Sequence, residues 1–128
     1  MKSKKLSISI KKPVSEVFDF TLNPNNTPYW IAGIVQEQAN EFPPKQGTIY
    51  KNKNKHQEWS EYTMTAFEID KMFIWTKSDN NYHVKYTFTL TDQNTTKLEY
   101  FEWVDKGELD EPFSLAVLKK LKSVVEAL

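Results

Sequence analysis

The chain has 128 residues, with 17 lysines against 17 acidic residues, no arginine, no cysteine and 14% aromatic side chains. That length buries roughly two thirds of the surface its unfolded chain exposes, so one domain over residues 1–128 needs no disulfide or metal staple. Missing cysteine excludes disulfides, thiol catalysis and thiolate metal sites, and a neutral, arginine-free charge balance argues against a nucleic-acid or phosphate grip.

In chain order, Leu6, Ile8 and Ile10 alternate with polar residues and run into Lys11-Lys12-Pro13, the pattern of a strand and not of a signal peptide. Val14, Val17, Phe18 and Leu22 then fall on one stripe of a short helix, with Pro13 suited to its first turn. Asn23 before Pro24 leaves the helical region, and Thr27-Pro28 caps a second single turn that delivers Tyr29 and Trp30.

Strands are predicted over Gly33–Phe42, Thr48–Asn52, Glu58–Ile69, Met72–Lys77, Tyr82–Thr91 and Thr96–Val104. Short connections of turn-forming residues join them, including Lys45-Gln46-Gly47, Asp70-Lys71 and Asp92-Gln93-Asn94, which argues for an antiparallel meander. Tyr82, Val84, Tyr86, Phe88 and Leu90 share a buried face, and His83, Lys85, Thr87, Thr89 and Thr91 share a wet one. After Gly107 the period becomes helical. Phe113, Val117, Leu118, Leu121, Val124, Val125 and Leu128 predict a long amphipathic C-terminal helix, with Asp110 or Glu111 ahead of Pro112 at its start. No run has the length of a membrane span, and the expectation is a soluble, cytoplasmic α+β protein.

The order and spacing of these pieces resemble the START-like, or helix-grip, superfamily that includes polyketide cyclases, birch-pollen-allergen proteins and lipid-transfer domains. The resemblance covers nearly the whole chain. It rests on the run Ile10 to Trp30, on Gly47 opening a strand, on the pair Met64 to Trp75, on Thr95-Thr96-Lys97-Leu98, and on Leu118-Lys119-Lys120-Leu121-Lys122 with Glu126. The chain departs from the family at two turns, having Ile69-Asp70 where Pro-Pro is common and Gln93-Asn94 where glycines are common. The resemblance implies a curved antiparallel sheet of about six or seven strands wrapped around the C-terminal helix, two short helices closing it, and a cavity between sheet and helix.

Alternation places Phe73, Trp75, Leu98, Tyr100, Glu102 and Val104 on the inner face beside the Tyr82 row. Glu102 is expected to sit at the open strand end and be wet, or to be turned outward by a bulge, because a one-residue slip inverts every face. Facing inward, it must instead be hydrogen-bonded, for example by a tyrosine hydroxyl, or take up a proton and become a candidate general acid with Tyr100 orienting the substrate. His56 lies in a Lys/Asn-rich turn and His83 on the wet face, so neither is expected to hold a metal or act as a base.

Trp30, Tyr62, Trp75, Tyr86, Phe88 and Tyr100 either fill a core or line a pocket. The resemblance favours a pocket, with Met64, Phe113, Val117 and Leu121 completing the contacts to a small hydrophobic or amphipathic ligand, and no cofactor or metal. Two rival readings follow from the same resemblance. One is an enzyme of cyclase, dehydratase or hydrolase type using Glu102 and Tyr100. The other is an interaction module resembling activators of heat-shock ATPases, contacting a protein partner or a second copy through Phe101 and Trp103 on the outer face. Lys51, Lys53 and Lys55 read as a solvated edge that discourages strand pairing.

Overall fold

The computed structural model describes all residues, Met1–Leu128. Its elements are β1 (Ser3–Ile10), α1 (Val14–Leu22), α2 (Thr27–Trp30), β2 (Ile34–Ala39), β3 (Ile49–Asn54), β4 (Trp59–Glu68), β5 (Met72–Lys77), β6 (Tyr82–Asp92), β7 (Thr95–Val104) and α3 (Leu115–Glu126). Seven strands form one antiparallel sheet in the order β1-β7-β6-β5-β4-β3-β2. Consecutive strands from β2 to β7 are neighbours, as a meander requires, while β1 returns to pair with β7. The architecture is α+β, as expected.

Helix α1 is short for the reason the sequence gives. Pro13 is its N-cap, and Asn23 is extended (φ −72°, ψ 115°) ahead of Pro24. The helix end is fixed from the sheet, because the buried Tyr50 hydroxyl donates to the Leu22 carbonyl at 2.7 Å. Phe18 projects onto the sheet and meets Phe67, Phe73 and Phe88 at ring separations of 5.1–5.9 Å. These phenyl rings plug one end of the curled sheet.

Helix α3 buries Leu118, Leu121 and Val125, one stripe at three- and four-residue spacing, and packs against β1 and α2. It begins later than the sequence predicts. Ser114 is the N-cap, and Asp110, Glu111 and Pro112 belong to the preceding loop, where Glu111 has a left-handed φ of 47°. Phe113 is therefore delivered by loop and not by helix, and α3 is twelve residues long.

Two bulges set the inner face. In β4 the register shifts between Met64 and Ala66, so that Met64 pairs Trp75 and Phe67 pairs Phe73. In β2 it shifts between Ile34 and Gln36, which brings Glu37 opposite Asn52. Along β6 the predicted face holds for Val84, Tyr86 and Phe88, all buried, but Leu90 is 54% exposed. Leu90 lies beside a third register shift, between Leu90 and Asp92, at the end of the strand.

Candidate functional site

The aromatic row changes chemistry along its length. The end closed by α1 carries phenyl rings. The opposite end carries hydroxyls, from Tyr62 on β4, Tyr82 on β6 and Tyr100 on β7, three inward-facing tyrosines on strands of the same stretch of sheet, with β5 between β4 and β6. Between the two ends Phe73 stacks on Tyr86 at 4.7 Å, and Tyr100 stacks on Phe113 at 4.5 Å, almost parallel.

A cavity of about 70 Å³ remains at the hydroxyl end. Six rings line it, those of Tyr62, Trp75, Tyr82, Tyr86, Tyr100 and Phe113. Ile31, Ile34 and Val84 complete its apolar wall, and Glu37 and Asn52 are its polar members. The volume equals that of roughly two waters and is far below the ~300 Å³ that a drug-sized ligand needs. Most of the space between sheet and helices is filled by the rings themselves.

Of the residues expected from the sequence to contact a ligand, five border this cavity: Tyr62, Trp75, Tyr86, Tyr100 and Phe113. Met64, Phe88 and Leu121 are packed in the core away from it. Trp30 stands behind the wall, edge-on to Tyr86 and Phe113, and Val117 lies in a surface groove between α2 and α3.

Glu102 is neither wet nor turned outward. It is 1% exposed on the inner face, where its two oxygens accept from the Phe113 backbone N–H at 3.0 Å and from the Tyr82 hydroxyl at 3.3 Å. The carboxylate thus ties the loop before α3 to the sheet and orients a ring of the cavity. Tyr82 also lies 3.4 Å from the Tyr100 hydroxyl.

Glu37 is a residue that sequence reasoning missed. It is 6% exposed, lines the cavity, and accepts from the Thr27 hydroxyl at 2.6 Å. Burial raises its pKa from 4.5 to about 7, an effect that hydrogen bonds from Thr27 and Asn52 only partly offset. Thr27, expected to cap α2, is instead its first helical residue after the N-cap Asn26, and its hydroxyl is spent on this carboxylate.

Burial also keeps the phenols neutral. It lifts Tyr62 to about 12 and holds Tyr82, Tyr86 and Tyr100 higher still, with neighbouring Glu102 adding to each shift. The Trp75 indole N–H, in the cavity wall, has no hydrogen-bond partner.

Tyr62 and Tyr82 also line a wider mouth of about 400 Å³, formed by the β5–β6 turn and the loop before α3. Its charged residues are Asp79, Glu108, Asp110 and Glu111 against the single Lys77. Glu108 is paired with the Met1 ammonium.

On the outer face, Phe101, Trp103 and His83 stack in a row at 4.9–5.1 Å, half-buried. His83 is less free than the sequence suggests. Its Nδ1 is 3.0 Å from the Thr76 hydroxyl and its Nε2 is 2.9 Å from Asp105. No group of three or more metal-ligating side chains gathers anywhere.

A curled seven-stranded antiparallel sheet gripping a C-terminal helix, with two short helices after the first strand, is the helix-grip fold of START-like proteins. Three solved structures illustrate the likeness. A START superfamily protein from Mycobacterium smegmatis aligns over 99% of both chains with 9% identity and a TM-score of 0.76. Ara h 8.0201 aligns over 98% of both chains with 16% identity and a TM-score of 0.66. The Aha1 dimer from Colwellia psychrerythraea aligns over 98% of this chain and 97% of its own, with 13% identity and a TM-score of 0.69. At such identities the likeness defines the fold and leaves the function open. No protein-family model and no curated protein matches the sequence. No helix is long and apolar enough to cross a membrane.

Proposed function

We propose that the protein binds a small amphipathic molecule at the open end of the grip, with the narrow end of the molecule in the cavity and its body in the mouth. The observation that carries this reading is adjacency. Tyr62 and Tyr82 belong to both spaces, so a ring-lined cavity of about 70 Å³ adjoins an open mouth of about 400 Å³. The cavity alone is too small for a lipid chain, but the mouth falls in the range of ordinary ligand sites, ~300–1,000 Å³. Among the helix-grip neighbours, a START superfamily protein and Ara h 8.0201 share this sheet and helix arrangement.

Glu102 serves this reading as a brace and not as an acid. Its oxygens are engaged by a backbone N–H and a phenol, which leaves it poorly placed to exchange a proton with a substrate. Tyr100 packs face to face on Phe113, a structural role as well.

Native mass spectrometry of the purified protein, followed by organic extraction, tests the proposal. A stoichiometric small molecule that is lost from Val84→Phe, a variant that fills the cavity from β6, is the expected result. A protein that stays bare through a screen of small amphiphiles would overturn it. Such a bare protein would favour the second reading, an interaction module using the half-buried Phe101–Trp103–His83 row, and the Aha1 neighbour makes a second copy of the chain the first partner to try.

A further inference from the structure

Two carboxylates, Glu37 and Glu102, are at least nine-tenths buried at the hydroxyl end of the core, and neither has an ion-pair partner. Lys4 holds the ladder position opposite Glu102 across β1 and β7, yet the two do not pair. Buried carboxylates ordinarily come with a cation, because an unpaired charge in an apolar site is costly. The tyrosines around them are neutral, since burial raises every one of their pKa values. What the protein itself leaves out is positive charge.

The surroundings fit one. Aromatic faces attract cations through the ring quadrupole, and six rings surround a space the size of an ammonium group and one water. The unpartnered Trp75 N–H, on a side chain 8% exposed, asks for an oxygen acceptor that such a water supplies. Outside, with Glu108 neutralised by the Met1 ammonium, the mouth still carries Asp79, Asp110 and Glu111 against Lys77 although the chain as a whole is neutral, so its field favours cations.

We infer that the ligand class of this site is a small amine in its protonated form, its ammonium group held in the ring-lined cavity beside Glu37 and its hydrocarbon part laid along the rings of Tyr62 and Tyr82 toward the mouth. This rests on the binding reading above and narrows it. An anionic amphiphile such as a fatty acid is repelled by ionised Glu37, and a neutral alcohol of equal length gains only an uncharged donor's hydrogen bond from it, weaker than an ammonium's.

Three probes of matched length separate the possibilities: n-butylammonium, n-butanol and butyrate, titrated into the full chain at about pH 8, where Glu37 is ionised, with tryptophan fluorescence and calorimetry as readouts. The amine is expected to bind at least about tenfold more tightly than either of the others, a preference of about one charge-assisted contact. Glu37→Gln, which keeps an acceptor for Thr27, is expected to erase that preference. Should Glu37→Gln fold poorly, Asp110→Asn combined with Glu111→Gln, both on exposed loop positions, is expected to weaken amine binding and flatten its dependence on salt. Equal or tighter binding of butanol or butyrate overturns the amine assignment while leaving the cavity as a binding site. Binding of none of the three overturns both.

Discussion

Glu37 and Glu102 are both buried carboxylates, but they are held by different partners and answer to different measurements. Glu37 has an ordinary value of 4.5 that folding raises to about 7. Between those values the folded protein holds a proton that the unfolded chain has released. The residue's contribution is therefore most favourable below about pH 4.5, is lost as pH rises to about 7, and is flat above, a swing of about 3 kcal/mol. Thermal denaturation of the wild type and of Glu37→Gln across pH 4.5 to 8 checks this. The variant gains relative stability as pH rises, and a constant difference would contradict the assignment. At Glu102 the issue is the donors left behind. Glu102→Ala strands the Phe113 N–H and loosens Tyr82, costing about 2–4 kcal/mol in urea unfolding, whereas Glu102→Gln keeps an acceptor and costs about 1 kcal/mol. The sequence placed Glu102 in the correct row by simple alternation, yet not its burial, because the loop that covers it follows no period. Glu37 was illegible for a related reason. The bulge between Ile34 and Gln36 breaks the alternation that would have assigned its face.

At the level of elements, the strands were readable because period-2 alternation is strong in this chain, and the hairpin turns announced themselves through Asp70 and Asn80, both of which adopt positive φ. The start of α3 was not. Asp110, Glu111 and Pro112 look like a helix entrance, but Glu111 adopts a left-handed φ of 47° that no α-helix accommodates, and the helix starts only at Leu115. Its actual N-cap, Ser114, makes no side-chain capping bond. Ser114→Asp is accordingly expected to stabilise the protein by about 0.5 kcal/mol through a better cap and the helix dipole, read as a higher melting temperature. Leu118→Ala, on the fully buried stripe of the same helix, is expected to cost about 3 kcal/mol.

For the whole molecule, the resemblance carried by the sequence supplied the curled sheet and the gripped helix, while the size of the cavity lay beyond it. Cavity volume is a small difference between large filled volumes, decided by where Trp75, Tyr100 and Phe113 come to rest on three separate elements. No periodicity encodes that. The closing of the sheet by β1 has a further consequence, in time instead of space. Its ladder partners lie between 86 residues away, from Ile10 to Thr96, and 100 residues away, from Ser3 to Trp103. At roughly 5–20 residues per second, a ribosome needs on the order of 5–20 s after making β1 to make the strand that receives it. During that wait Leu6, Ile8 and Ile10 have no ladder partner, and once β6 is made it presents a raw edge until β7 follows. Chains arrested at Asp92 should be digested by protease along their whole length, while chains arrested with β7 and α3 outside the ribosome should resist. The first strand to be born finds its seat only when the seventh is made, and α3, made last of all, then closes over it.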